Sequence, residues 1–306
     1  MRHCAPWLSL ACAAQAAFAT SPAPPIEGVS HIAVYASDPV ATERFYVHDL
    51  GATRGADPES NLGVRYYFSA TQFVEVLPLP KGPASINRLD HVAFATPDAE
   101  RMRRYLADSG IPVPDAVTTT AEERWFEVHD PEGNRIQFVQ SGAVPAIGLS
   151  TRRLSDHIIH VGFIVHDREL EDGFYRKILG FRPYWFGGNE NARPTWISQQ
   201  VPDGHDWLEY MLVDPPRGRG IPADMSQTLL GVFNHFSLGV ANMEAIYTRL
   251  WNEQRLTGQD GVPKIGRDAK WQLNLHDPDG TRAEIMELHA IGKPCCSPFT
   301  APDPAR

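Results

Sequence analysis

Apolar positions along the chain come in runs of five or six, alternating or continuous, bounded by Gly, Pro, Asp or Asn. That spacing predicts β-strands. Four of the runs open on a histidine: His31-Ile32-Ala33-Val34-Tyr35, His91-Val92-Ala93-Phe94-Ala95, His160-Val161-Gly162-Phe163-Ile164 and His235-Phe236-Ser237-Leu238-Gly239-Val240. An amphipathic helix is expected after each. Pro39 to His48 places Ala41, Phe45 and Tyr46 on one face, and Met243 to Asn252 does the same with Ile246, Tyr247 and Leu250. Asp38, Asp98 and Asn242 are the expected helix starts. Two or three short strands follow each helix, so the chain predicts four β-α-β-β-β modules of α+β class.

The modules sort into two types. The first and third share Phe-Tyr-x-x-x-Leu-Gly, at Phe45 to Gly51 and Phe174 to Gly180, where the glycine ends the helix in a left-handed conformation. The second and fourth share a turn of the form His-Asp-Pro-acid-Gly, at His129 to Gly133 and His276 to Gly280, in which Pro presets the turn and Gly takes the positive φ. The order 1-2-1-2 means a two-module domain that was duplicated. The expected layout is a first domain at 28–140, a small-residue linker at 141–155, a second domain at 156–290 and a disordered tail at 291–306 containing Pro and Cys.

The N-terminus reads differently. Leu8 to Phe18 is mostly Ala and Leu, Ala17-Phe18-Ala19 fits a small-x-small cleavage pattern, and a Pro-rich linker fills 20–27. We expect residues 1–19 to be a secretory signal peptide and the mature protein to be periplasmic or secreted. Cleavage leaves only Cys295 and Cys296, adjacent in a Pro-rich stretch, so no disulfide framework is expected in the core. A formal charge of −9 and a pI near 5.7 disfavour nucleic acid as a partner. The chain has no apolar run long enough for a spanning helix.

Each module also ends in an apolar strand that carries a carboxylate or amide at a recurring distance from the opening histidine. The pairs are His31 and Glu75, His91 and Gln137, His160 and Glu209, and His235 and Glu284, separated by 44, 46, 49 and 49 residues. One such polar residue in a strand need only face water. Four in register with four histidines point to a divalent ion held on a concave sheet, with Zn, Mn, Ni or Fe all suited to the donors. Four protein ligands leave positions open for substrate on a six-coordinate ion.

On these residues the chain resembles the vicinal oxygen chelate superfamily, also called the glyoxalase/bleomycin resistance/dioxygenase fold, over residues 28–140 and 156–290. The resemblance implies that the modules pair into two cup-shaped, glyoxalase-like domains. It implies metal ligands from the first and last strands of each module: His160, Glu209, His235 and Glu284 in domain two, and His31, Glu75, His91 and Gln137 as a secondary set in domain one. The complete His-Glu-His-Glu set resembles glyoxalase I-like sites, so domain two is expected to carry the chemistry, with Glu209 or Glu284 moving the proton.

The layout also resembles extradiol dioxygenases, with His160, His235 and Glu284 at the matching places and His205 near the place of an acid/base histidine. Asn274 departs from that family's tyrosine, and Lys264 to Asp268 stands where its upstream histidine would be. His129 and His276 are expected to serve their hairpins. Trp185, Trp196, Trp207 and Trp271 are candidates for pocket walls, against packing in the core or at its rim. The expected function is a metal-dependent lyase, isomerase or dioxygenase-like enzyme on a small substrate with vicinal oxygens, and a homodimer is compatible with it. The alternative is a metal-free binding or sequestering protein.

Overall fold

The computed structural model describes residues 22–81, 87–142, 147–213, 233–257 and 261–304, so the expected leader at 1–19 lies outside the described residues. Two curled eight-stranded sheets form the frame. The first contains β1 (Gly28–Ala36), β2 (Thr53–Ala56), β3 (Val64–Tyr67), β4 (Phe73–Pro78), β5 (Leu89–Ala95), β6 (Thr118–Thr119), β7 (Glu123–His129) and β8 (Arg135–Ser141), in the spatial order 2-3-4-1-5-8-7-6. The second repeats that order with β9 (Ile158–Val165), β10 (Arg182–Gly187), β11 (Trp196–Gln200), β12 (Trp207–Leu212), β13 (His235–Val240), β14 (Lys264–Ile265), β15 (Trp271–His276) and β16 (Arg282–Glu287). In each module the opening and closing strands run parallel side by side, and the opening strands of paired modules meet antiparallel at the centre of the sheet. This brings every opening histidine close to a closing carboxylate or amide.

Among the described residues the α-helices are α1 (Pro39–Glu43), α2 (Ala99–Asp108), α3 (Arg168–Asp172) and α4 (Met243–Asn252). Asp38, Asp98 and Asn242 cap their helices as expected, and Asp167 caps α3. The sequence predicts one α-helix over 39–48. The structure instead widens into a π-helical turn at 44–49, and again at 173–178, closed by Leu50 N–H to Phe45 O and Leu179 N–H to Phe174 O. The wider turn lets two consecutive aromatic residues, Phe45 and Tyr46, both enter the core, with their rings 5.1 Å apart. Gly51, Gly133, Gly180 and Gly280 all take the positive φ their motifs require.

Strand alternation divides labour between the two faces of each sheet. Ile32, Val34, Val92 and Phe94 from the first sheet and Val161, Phe163, Phe236 and Leu238 from the second enter one continuous core that both sheets share. Rings cross the seam at Phe94–Phe181, Tyr46–Phe236 and Phe68–Phe236. The histidines are left on the opposite, concave faces. The Asp-Pro turns also serve the seam: Tyr46 donates to Asp277 and Tyr175 donates to Asp130, each at 3.1 Å.

The acid Glu171 sits beside Asp130 in this seam, and its second partner is the Glu132 N–H at 3.0 Å. Burial, reinforced by the Asp130 charge, pushes the Glu171 carboxyl up to about 9. The folded state therefore keeps a proton that the unfolded chain releases near pH 4.5. That contribution is complete at low pH and is lost as pH climbs toward 9. Glu171→Gln keeps the acceptor without the charge. It should leave stability unchanged at pH 4 and raise it by roughly 1–3 kcal/mol at pH 8, as read from denaturant unfolding at the two pH values.

The expectation of a disordered tail at 291–306 is corrected for its described part, residues 291–304. The chain from Cys295 to Asp303 straps the second cup from one sheet edge to the other. Cys295 N–H donates to Arg267 O beside β14, while Cys296 N–H and Thr300 N–H donate to Phe186 O and Tyr184 O on β10. Buried Lys270 anchors its end through Asp303 at 2.6 Å. Open backbone groups on β10 and the buried Lys270 ammonium, which also donates to Leu288 O at 2.9 Å, give the segment its partners. Cys295 and Cys296 are bonded to each other within this strap, outside the core. No helix among the described residues is long and apolar enough to cross a membrane.

Candidate metal centre

In the C-terminal cup three of the expected ligands, His160, Glu209 and His235, bring donor atoms within 4.8 Å of one another, and Glu284 stands beside His160. His160 and His235 point Nε2 at Nε2 across 3.1 Å; Glu209 Oε2 lies 3.4 Å from His235 Nε2, and Glu284 Oε2 lies 3.3 Å from His160 Nε2. Both imidazoles are fully buried. The parallel pairs β9/β12 and β13/β16 produce this crossing, because His160 faces Trp207 and His235 faces Arg282 in register. Each carboxylate then stands two residues beyond the register partner of its module's histidine.

The electrostatics suit a cation. Burial holds the His235 ring below its usual range, and the nearby Arg282 charge adds to this, so the ring is neutral and has a lone pair to give. Burial alone would push both carboxyls up. For Glu284 the Arg282 guanidinium and the His160 hydrogen bond outweigh it and hold the group at about 2. For Glu209 the interaction with His235 outweighs burial and holds the group below its usual range. His235 Nδ1 is bonded to Phe233 O at 2.7 Å, an orienting partner of the kind metal-bound histidines have.

A cavity of about 280 Å³ opens above this floor, and Glu209 and Glu284 both border it. Tyr184, Trp185, Trp196, Trp207 and Phe299 supply aromatic walls, and Lys264, Arg267, Lys270 and Arg282 supply cations. Three of the four candidate tryptophans thus line the site. Trp271 does not, and packs against the shared core. The phenylalanine comes from the strap.

Gly162 lies directly under the centre, a role not visible from the sequence alone. A Cβ built there would lie 2.1 Å from His235 Cε1, and its pairing partner in the register is His235 itself. Gly162→Ala must displace that ring. We expect divalent-ion affinity to fall by roughly 10–100-fold with the fold intact, as measured by competition with a chromophoric chelator.

His205 does not join the site. It is exposed in the turn before β12, and that turn leans on the start of the first domain, where Asp203 accepts from Ile26 N–H and Gly204 abuts Glu27. A histidine near the right place in sequence is carried away because its turn serves the domain seam. His129 and His276 end their strands exposed, at the hairpins where the motif places them.

The N-terminal cup gathers the same types. His31 and His91 stand Nε2 to Nε2 at 2.9 Å, with Glu75 Oε2 at 3.5 and 4.0 Å from them. His91 is oriented by Asp90 at 2.8 Å and His31 by Ser30 at 3.1 Å. Here burial, and then the Asp57 and Glu59 charges, push the Glu75 carboxyl up to about 10. The space above this floor is filled by Arg65. Arg65 pairs with Glu75 across β3 and β4 as Ser198 pairs with Glu209 across β11 and β12. Aligning the first module on the third would have flagged that difference.

The model of the Glyoxalase/Bleomycin resistance protein/Dioxygenase superfamily matches residues 28–138 and 157–285. The chain belongs to this superfamily. No curated protein matches it in sequence. Among solved structures, a catechol 2,3-dioxygenase is 15% identical, with 92% of this chain and 91% of that chain covered and a TM-score of 0.63. The homoprotocatechuate 2,3-dioxygenase of Brevibacterium fuscum, complexed with 3,4-dihydroxyphenylacetate, is 16% identical over 89% and 83% of the two chains, with a TM-score of 0.62. That of Arthrobacter globiformis is 15% identical over 90% and 84%, with a TM-score of 0.61. At these identities the likeness is one of fold, and it covers both cups.

The donor set of this superfamily member fits a divalent metal. His160, Glu209 and His235 bring donor atoms within 4.8 Å of one another, and Glu284 adds a second carboxylate 3.3 Å from His160 Nε2.

Proposed function

We propose that the C-terminal cup is the active centre of a divalent-metal-dependent enzyme acting on a small substrate with two neighbouring oxygens. The observation that carries this reading is the convergence of His160, Glu209, His235 and Glu284 at the floor of a cavity large enough for a small molecule. A divalent ion held by these four side chains supplies Lewis-acid polarisation of the substrate's oxygens.

The remaining work belongs to the chain. The imidazoles lie beneath the floor and serve as ligands. Glu209 borders the cavity and takes one further hydrogen bond, from Ser198 Oγ to its Oε1 at 3.3 Å. It is placed to take a proton from the carbon beside the oxygens and return it, which is lyase or isomerase chemistry. The aromatic walls hold a planar substrate and keep water from the proton in transit. Zn, Mn and Ni suit this reading.

A dioxygenase-like reaction is the second reading. It is favoured by His160, His235 and Glu284 forming a two-histidine, one-carboxylate set, which Fe suits. In it Glu209 would be an additional carboxylate at the same centre. Export through a leader at residues 1–19 belongs to the same proposal, and N-terminal sequencing of the secreted fraction tests it.

The functional test is metal reconstitution followed by assay against α-hydroxycarbonyl compounds and catechols. Under the first reading Glu209→Gln keeps the ion and loses turnover by about 10²–10⁴-fold, the usual worth of a positioned base. Wild-type protein that binds no divalent ion would leave the metal-free binding alternative standing in its place.

A further inference from the structure

The two cups differ above their floors, and the difference assigns a role to Arg65. This side chain is 2% exposed and is held on every side. Its Nη1 and Nη2 grip Glu123 as a fork at 3.1 and 2.7 Å, and Nη2 also reaches Glu59 at 2.6 Å. Nε lies 3.4 Å from Asp57, and the guanidinium stacks 4.1 Å above the Phe73 ring, which itself stacks on His31. It therefore lies over the floor of its cup, where the C-terminal cup has Ser198 and open space.

The floor beneath it is nonetheless built for an ion. Glu59 accepts from Gln137 Nε2 at 2.5 Å, which commits that end of the amide. The other end, Gln137 Oε1, is fully buried without a partner, and so is Glu75 Oε2. Gln137 holds the register place of Glu284, two residues beyond the partner of His91. Asp57, Glu59 and Glu123 hold the Arg65 guanidinium, which leaves Glu75 beside His31 and His91, and these three bring donor atoms within 4.8 Å of one another.

We propose that the N-terminal cup holds a second, sealed divalent ion, and that Arg65 caps the face through which the C-terminal ion meets substrate. One cup then presents an ion to small molecules, and the other keeps an ion as part of the fold. The proposal rests on the metal reading of the superfamily floor, but its own failure is separable from that of the C-terminal centre.

The test uses full-length protein loaded with Co²⁺, in which the ion's absorption reports its ligands. His160→Ala with Glu284→Ala disables the C-terminal cup, and His31→Ala with Glu75→Ala disables the other. With the C-terminal cup disabled, elemental analysis should still find about one cobalt per chain. Release to EDTA should be at least about tenfold slower than from the C-terminal ion measured in the complementary variant, and catechol, used as a bidentate oxygen probe, should leave the spectrum unchanged. Adding Arg65→Ser should speed release at least about tenfold and make the spectrum respond to catechol. Should Arg65→Ser prevent folding, Glu59→Gln with Glu123→Gln frees the guanidinium from its fork and should have the same effect.

The proposal is overturned if the protein with the C-terminal cup disabled holds no cobalt. It is equally overturned if its cobalt leaves as fast as from the other cup, or if catechol reaches it with Arg65 in place. A cobalt-free His31→Ala, Glu75→Ala protein would instead sink the C-terminal centre, while the cobalt count and the catechol response of the other variant still decide whether the N-terminal cup holds a sealed ion.

Discussion

His235→Ala is expected to empty the C-terminal centre. The ring stands between the other donors, 3.1 Å from His160 Nε2 and 3.4 Å from Glu209 Oε2. Without it, two carboxylates and one imidazole no longer share a focus, and the negative charge its hydrogen bond offsets is left buried. Loss of a partner that merely orients a ligand costs roughly 10–100-fold in affinity, so loss of this ligand should exceed that, with turnover falling alongside. Equilibrium dialysis with Zn²⁺ or Mn²⁺ measures it. His205→Ala is the control and should change neither affinity nor turnover, because that side chain stands in an exposed turn. Retention of wild-type affinity by His235→Ala would place the ion elsewhere.

The second large effect concerns the seam. Phe181 is nearly fully buried, with Phe94 of the first sheet 5.2 Å away edge-to-face and Tyr175 at 5.5 Å. Phe181→Ala opens a cavity in the one core both sheets use, and should cost about 3–5 kcal/mol. Because the core is continuous, the cost should fall on the whole chain. Urea unfolding followed by tryptophan fluorescence and by far-ultraviolet circular dichroism should give one shifted transition by both probes. Two transitions, with only the second displaced, would show that the halves fold as separate units.

The sequence carries the floor of each cup and little of what stands above it. A histidine opening a strand and a carboxylate in a parallel strand some 44–49 residues on are local features repeated four times, and repetition makes them visible. The centre itself follows from sheet order, since parallel pairing of opening and closing strands must bring those residues together.

The walls follow different rules. Arg65 reads as an ordinary charged position in Val64-Arg65-Tyr66-Tyr67, and only its cross-strand partner Glu75 gives it meaning. Gly162 reads as a neutral gap in an apolar strand until the His235 ring is seen against it. The strap escapes notice because its composition is that of a loose end, while its partners, Lys270, Phe186 and Tyr184, lie far away in the chain. His205 misleads for the complementary reason. Distance along the chain fixes where a residue sits in a turn, but not which surface the turn leans on.

The central claim is that one divalent ion sits among His160, Glu209, His235 and Glu284. Anomalous diffraction at the metal's absorption edge, from crystals of the reconstituted protein, tests it most directly. We expect a strong peak within bonding distance of both imidazole Nε2 atoms and of an oxygen from each carboxylate. A map from fully loaded crystals with no peak between those four side chains would contradict it.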